Sequence, residues 1–377
     1  TYDVGLDLDF LNNRLSFSGD YYRRYTTDMY TPSISLPSVY GTTSPKGNNA
    51  ELRTTGWELS LTWRDSFKLG GKPFDYSIKA MVWDNRSIVT KYENATKSLG
   101  TLKGYIDNGG SPSDFYVGME LGEMWGYTVA GLFKDQADID SSATHDFTQA
   151  SDKVTRPGQV KIADLDGNGF IDSGNFAVHD HGDLRIIGNQ SPRYRYGLNL
   201  SASWNGIGLS VFLQGVGKRD WYPGSDAGMF WGKYGRPFFA LIPSIHNYTD
   251  DMYSAERNNW DTAYWPRMTT YQSNATKNWT RLLEIPNTRY IQSAAYLRVK
   301  NIQLDYSFPK HICSAIRLQG LKIYVNAENL FTFTPLHKYA PNFDPEGLAY
   351  DADFASAADG YTYPILKSIT VGVNITF

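Results

Sequence analysis

The sequence predicts an all-β fold, an antiparallel up-and-down transmembrane β-barrel, and three observations carry that prediction. Apolar and polar residues alternate with period two in nine segments along the 377 residues. The connections between these segments alternate between short and long. No stretch approaches the roughly 18 consecutive apolar residues that mark a membrane helix. A mean hydropathy of −0.43 is compatible with a barrel, because only every second strand residue must be apolar.

The elements follow in order. Tyr2, Val4, Leu6, Leu8 and Phe10 alternate with Asp3, Gly5, Asp7 and Asp9. A four-residue turn, Leu11 to Arg14, leads into a second strand built on Leu15, Phe17 and Tyr21. The third sets Trp57, Leu59, Leu61 and Trp63 against Gly56, Glu58, Ser60 and Thr62. The fourth sets Phe74, Tyr76, Ile78, Ala80 and Val82 against Asp75, Ser77 and Lys79. Tyr196 to Trp204 and Ile207 to Leu213 flank Asn205-Gly206, a dipeptide that favours a two-residue hairpin turn. From Tyr296 to Phe308 the apolar parity flips, which predicts a β-bulge near Lys300-Asn301. Leu321 to Glu328 and Ile369 to Phe377 complete the set.

Any one of these strands also suits a sandwich, whose apolar face lies on a second sheet. The connections favour the barrel. Short ones fall after Phe10, Trp63, Trp204 and Phe308; long ones cover Tyr25–Arg53, Trp83–Arg193, Val216–Gln292 and Phe331–Tyr363. Outer-membrane barrels have short periplasmic turns and long extracellular loops. The last strand then runs inward and ends at Phe377 on the periplasmic side. Polar positions predicted to face the lumen include Asp7, Asp20, Glu58, Lys79, Lys322 and Glu328. Trp57, Trp63 and Trp204, at the predicted strand ends, read as an aromatic girdle against outer-membrane lipid. Single-chain bacterial barrels have an even number of strands, so nine predicts an open piece of a larger barrel. Thr1 opens directly in a strand pattern with no signal-peptide features, and a longer parent is expected.

Composition excludes other classes. A net charge of −3 with no basic stripe argues against a nucleic-acid partner. The single cysteine, Cys313, permits no intrachain disulfide. No G-x-S-x-G, H-E-x-x-H or P-loop pattern is present, so no enzyme is predicted. Acidic pairs such as Asp344 and Glu346 read as solvated or lumen-facing charge.

Two loop features are candidate sites. Asp164, Asp166, Asn168, Phe170 and Asp172 follow the opening of a calcium loop, with oxygen ligands at alternate positions and a carbonyl from Phe170. Asn175 replaces the usual twelfth-position Glu, and Asp180 or Asp183 is the candidate replacement ligand. The same residues would also form a metal-free Asx turn. No cofactor is required, and calcium is the one candidate ion. His179 and His181 flank Asp180 without geometry that favours a transition metal. The long loops also carry Trp125, Trp221, Trp231, Trp260 and Trp265, which suit ligand stacking, a protein partner or loop packing.

Five stretches resemble one family, the SusC/RagA-type TonB-dependent transporters. They are Gly56-Trp57-Glu58-Leu59-Ser60, the run from Pro157 to Asp172, Ile187-Gly188-Asn189-Gln190-Ser191-Pro192, Tyr296-Leu297-Arg298-Val299-Lys300-Asn301-Ile302 and Glu328-Asn329-Leu330-Phe331-Thr332. The resemblance implies a barrel of about 22 strands, of which residues 1–377 are the C-terminal portion, with the plug domain outside this segment. It further implies an outer-membrane location, a SusD-like surface lipoprotein as lid, energy from the TonB complex, and an oligosaccharide or peptide ligand. Phe377, aromatic at the end of the last strand, resembles the barrel-assembly signal. The alternative is a secreted calcium-binding β-sandwich, an adhesin or carbohydrate-binding module; a secreted hydrolase ranks behind both.

Overall fold

The computed structural model describes residues 1–32, 41, 46–94, 115–145, 154–223, 230, 251–267, 286–348 and 365–377. Nine strands form one antiparallel sheet whose spatial order is their chain order. They are β1 (Tyr2–Phe10), β2 (Leu15–Pro32), β3 (Lys46–Leu69), β4 (Lys72–Lys91), β5 (Arg193–Trp204), β6 (Ile207–Lys218), β7 (Tyr296–Ser307), β8 (Gly320–Phe333) and β9 (Ser368–Thr376). This is the expected up-and-down meander, and among the described residues the sheet is open at β1 and β9.

Local chemistry sets the turns. Leu11, Asn12 and Asn13 all take left-handed φ and reverse the chain between β1 and β2. Asn205 (φ 48°) and Gly206 (φ 87°) form the two-residue hairpin between β5 and β6, where both central residues need positive φ. The bulge is in place: Val299 pairs with Leu213 and Asn301 with Phe212, so Lys300 is the extra residue that restores the faces. The connection after Phe308 contains a short helix, α1 (Lys310–Ala315), which the strand pattern did not reveal.

Strands β2, β3 and β4 run furthest beyond their predicted spans. A tilted strand crosses a bilayer in about 9–11 residues, yet β2, β3 and β4 have 18, 24 and 20. Alternation is confined to the segment that needs it, while backbone pairing continues beyond. Much of the predicted long loop Tyr25–Arg53 is therefore strand, with Pro32 still opposite Lys46.

The pairing register lines up side chains across the sheet. One row of apolar residues runs Leu8, Phe17, Leu61, Ala80, Leu198, Leu213, Val299 and Phe331. This face lies open: Val4 is 74% exposed and Val371 72%. Two aromatic levels bound it. Near the short turns, Phe67, Phe74 and Trp204 stand in one row, with the Phe67 and Phe74 rings 5.0 Å apart. Ten residues along β3, Trp57 pairs with Tyr21. Ten residues at about 3.3 Å each, tilted by about 40°, separate these levels by roughly 25 Å. That is the height of an outer-membrane apolar band. Trp63 lies between the two levels, since β3 continues to Leu69, and is followed on the same face by Asp65, which pairs with Arg14 at 3.4 Å; its indole N–H donates to the Tyr76 hydroxyl at 3.0 Å.

The buried core lies in the connections. Met124, Tyr127, Leu132, Val160, Ile162, Ile171, Leu184, Trp221, Tyr222, Tyr253, Tyr290 and Leu336 pack into one cluster drawn from the three longest connections. Among the described residues no second sheet covers the apolar strand face, which removes the sandwich alternative. The molecule is inside out relative to a soluble β protein.

Candidate functional site

The three loops form a canopy at one end of the sheet. Short antiparallel strand pairs supply its frame: 184–189 pairs with 123–127, 160–162 with 129–132, and Asp220-Trp221 with Gln292-Ser293. Rings then lock the loops together. Tyr264 stacks on Tyr339 at 3.6 Å, and Trp221 meets Phe343 at 4.9 Å, joining the second and third loops. The first loop is tied to the wall by Arg193, whose guanidinium donates to both Asp84 oxygens at 2.6 and 2.5 Å and to Glu120 at 3.3 Å.

Arginines also fix the third loop to the inner wall. Arg298 is buried on β7; it donates to Asp344 at 2.6 Å, to Glu346, and to the Thr332 hydroxyl at 2.9 Å. Burial alone would raise the Asp344 carboxyl, but the Arg298 contact prevails and holds it below the usual range. Asp344 and Glu346, expected as solvated or lumen-facing charge, are thus not solvated but ion-paired to an arginine on the polar face. Arg219 donates to the carbonyls of Gln190, Pro345 and Leu348, and its burial lowers its pKa.

The acidic loop folds compactly. Carboxylate oxygens of Asp164, Asp166 and Asp183 lie within 4.8 Å of one another. Each already accepts backbone N–H groups: Asp164 from Gly167 (2.6 Å) and Gly169 (2.9 Å), Asp166 from Asn168 (3.1 Å), and Asp183 from Leu165 (2.6 Å) and Asp172 (3.1 Å). These bonds, led by Gly169, lower the Asp164 pKa. Asn168 accepts from the Phe170 N–H at 2.7 Å, and Asp172 accepts from Gly174. Asp183, one of the two candidate replacements, comes from beyond the motif and joins Asp164 and Asp166. Asp180 instead bonds Asn175, and His181 turns toward Arg185 and Trp125.

The tryptophans divide. Trp221 and Trp265 are buried in the canopy core, so their role is packing and they present no ligand surface. Trp125 is half-buried and donates to Glu123 at 3.0 Å. Trp260 is half-buried beside a cavity of about 510 Å³ whose lining includes Lys134, Asp138 and Lys161. Trp231 lies outside the described residues. Phe377 follows β9 and is exposed.

No family model matches the chain. It is 26% identical over its whole length to TonB-dependent receptor P3 of Formosa agariphila, and 24% identical to TonB-dependent receptor SusC of Bacteroides thetaiotaomicron. It covers 34% and 32% of those proteins, so it spans about a third of their length. The RagAB peptide transporter has the same fold over the whole of this chain and 35% of its own, with TM-score 0.62 at 19% identity. Its open-open state gives 0.63. The chain is SusC/RagA-like. The proteins that this SusC/RagA-like segment matches are receptors and transporters, not enzymes.

In this SusC/RagA-like segment the polar strand face is also read from the register. One row runs Gly5, Asp20, Glu58, Trp83 and Arg195; the next runs Asp7, Ser18, Ser60, Met81, Gly197, Gln214 and Arg298. Lys79 lies opposite Thr62 and Asn199. Lys322 pairs with Asp305 at 3.0 Å, and Glu328 accepts from Ser368 at 3.1 Å. All six predicted lumen positions therefore share the face opposite the apolar band. Sequence reasoning missed the Arg298 anchor, although Arg298 sits inside the quoted Tyr296–Ile302 stretch. Its position on the polar face was a usable signal.

Proposed function

We propose that this chain is the C-terminal part of the barrel domain of an outer-membrane TonB-dependent importer for oligosaccharides or peptides. The observation that carries the reading is the inverted burial: a bare apolar belt about 25 Å high on the strands and a packed core in the loops. Lipid takes the belt, and the polar face lines the passage. The short turns face the periplasm and the canopy faces outward. A SusD-like lipoprotein closes over the canopy, with Trp125 and Trp260 as contact candidates. The plug and its TonB contact lie outside these residues. Phe377 serves as the assembly signal.

Limited proteolysis of intact cells expressing the full-length protein tests the orientation. Cuts are expected within the canopy connections and none at Leu11–Arg14 or Gly70-Gly71 until the outer membrane is opened. Cleavage at those turns in intact cells, or release of the protein without detergent, refutes the assignment. Co-purification with a surface lipoprotein tests the lid.

Calcium at Asp164, Asp166 and Asp183, with Asn168, Phe170 and Asp172 nearby, belongs to the same proposal. The converging carboxylates support it; their existing backbone bonds supply the metal-free alternative. Calorimetric titration of chelator-treated protein decides: a heat that Asp166→Asn removes is expected, and no heat with unchanged loop proteolysis eliminates the ion.

A further inference from the structure

Strands β2, β3 and β4 run on past the upper aromatic level, and their lipid-side residues change character there. In the first row above Tyr21 and Trp57 stand Tyr2, Arg23, Thr55 and Arg86; in the second stand Tyr25, Arg53 and Ile88. Gly56 and the Tyr22 ring, one residue away, meet on the inner face, so the pleat turns Arg23, Arg53 and Arg86 to the outer one. Arg53 is the diagonal neighbour of Arg23 across the β2–β3 pair and of Arg86 across the β3–β4 pair. Diagonal neighbours lie about 7–8 Å apart, within reach of long side chains. Three guanidiniums therefore surround Thr55 on one face.

The acids nearby do not balance them. Asp84, level with Trp57, gives both oxygens to Arg193. Glu120, beside Ile88, is divided between Arg193 at 3.3 Å and Arg86 at 3.6 Å. Among the described residues Arg23 and Arg53 have no carboxylate partner. Toward the short turns the same face differs: Arg14 pairs with Asp65 at 3.4 Å, and Lys72 donates to Asn205 at 2.5 Å.

Height decides what these arginines meet. Strand tilted by about 40° puts the two rows roughly 5 and 10 Å above the aromatic level. The polar layer outside the hydrocarbon is about 5–8 Å thick on each side, and belt aromatics mark where it begins. A lipid-side residue at this height faces headgroups, not hydrocarbon or the passage. Chemistry then selects among headgroups. Guanidiniums pair with phosphate oxygens through parallel N–H bonds. A phosphomonoester offers three oxygens and a charge approaching two; a diester offers two free oxygens and a single charge. A zwitterionic headgroup also brings an ammonium, which three arginines repel.

We propose that Arg23, Arg53 and Arg86 form a docking surface for the phosphomonoester of an anionic lipid in the leaflet at the canopy end. This rests on the membrane reading above and adds a lipid partner to it. Charge complementarity and the height of the two rows point to that one occupant.

Native mass spectrometry of the full-length protein in neutral detergent tests it. The probes are phosphatidic acid (a monoester), phosphatidylglycerol (a diester) and phosphatidylcholine. Wild type is expected to bind phosphatidic acid at least about tenfold more tightly than phosphatidylcholine, the scale of one charge-assisted hydrogen bond. Arg23→Gln/Arg53→Gln should lose that preference. Arg24→Gln is the control and should keep it, because the pleat turns Arg24 to the inner face, opposite Thr54. Heat-shifted gel mobility verifies that both variants are folded. No preference in wild type, or a preference the double variant retains, overturns the inference and leaves the barrel reading standing. Phosphatidylglycerol held as tightly as phosphatidic acid overturns the choice of a monoester. Displacement of the lipid by inorganic phosphate at matched concentration indicates a free-anion site and overturns the lipid one. Loss of the preference in Arg24→Gln but not in the double variant inverts the two faces and overturns the membrane reading as well.

Discussion

Placing an arginine at Leu200 tests the central assignment. Leu200 pairs with Ile78 on one side and Val211 on the other, level with Trp63. Trp63 stands four residues from Phe67 at the lower aromatic level and six from Trp57 at the upper. Four residues of tilted strand rise about 10 Å, which puts Leu200 within a few ångströms of the middle of a 25 Å band. Arginine on the lipid face at mid-bilayer costs about 2–4 kcal/mol. Ser201 is the control: it is adjacent, but the pleat turns it to the polar face, opposite Ser77 and Ser210. The assay is reversible folding of the full-length protein into phospholipid vesicles, followed by tryptophan fluorescence during denaturant titration. Leu200→Arg should lose about 2–4 kcal/mol and Ser201→Arg less than about 1. Equal costs at both positions, or no cost at Leu200, would refute the lipid-facing assignment.

The remaining predictions concern the inner face and the canopy. A Cβ on Gly56 would meet the Tyr22 ring at 2.5 Å, so Gly56→Val should destabilise by about 1–3 kcal/mol; Tyr22→Ala in the same chain should relieve much of that cost in a double-mutant cycle. Arg298→Met leaves Asp344 and Glu346 without their shared partner, and amides around Ala340–Leu348 should exchange faster with deuterium while Tyr290 keeps its protection. Acid should act at the same point. The folded Asp344 pKa is depressed, so its contribution is fully present above about pH 4 and is lost as pH falls through the lower folded value. Canopy exchange that is flat from pH 6 to about 3 contradicts that sign. Removing the Trp260 side chain should weaken lipoprotein capture in a pull-down without changing barrel mobility, whereas Trp265→Ala should destabilise the canopy itself by about 3–5 kcal/mol.

The barrel wall was legible because its chemistry repeats. Leu198, Leu200 and Ala202 against Gly197, Asn199 and Ser201 specify strand, face and register at once. The Val299 to Ile302 parity flip located the bulge to Lys300-Asn301, and the pairing makes Lys300 the extra residue. The strand tops were not legible, since from Lys46 to Thr55 the sequence no longer alternates although the backbone stays paired. The canopy was the hardest part: Trp221 and Trp265 look like contact residues until Phe230, Tyr290 and Phe343 are found around them. Sequence spacing brings Asp164 and Asp166 together, but only tertiary folding adds Asp183. Asp344 and Glu346 gave no local sign of Arg298, nearly 50 residues earlier.

A shared core among loops limits how they can be exchanged. Tyr264 and Tyr339 come from different connections, as do Trp221 and Phe343, so transplanting one loop into a relative would strand half of each pair in water. Donor and host would have to swap all three connections as a set, together with the arginines beneath them. Specificity at this mouth should therefore be inherited as a block, and chimaeras divided inside it should misassemble even when every strand junction is preserved.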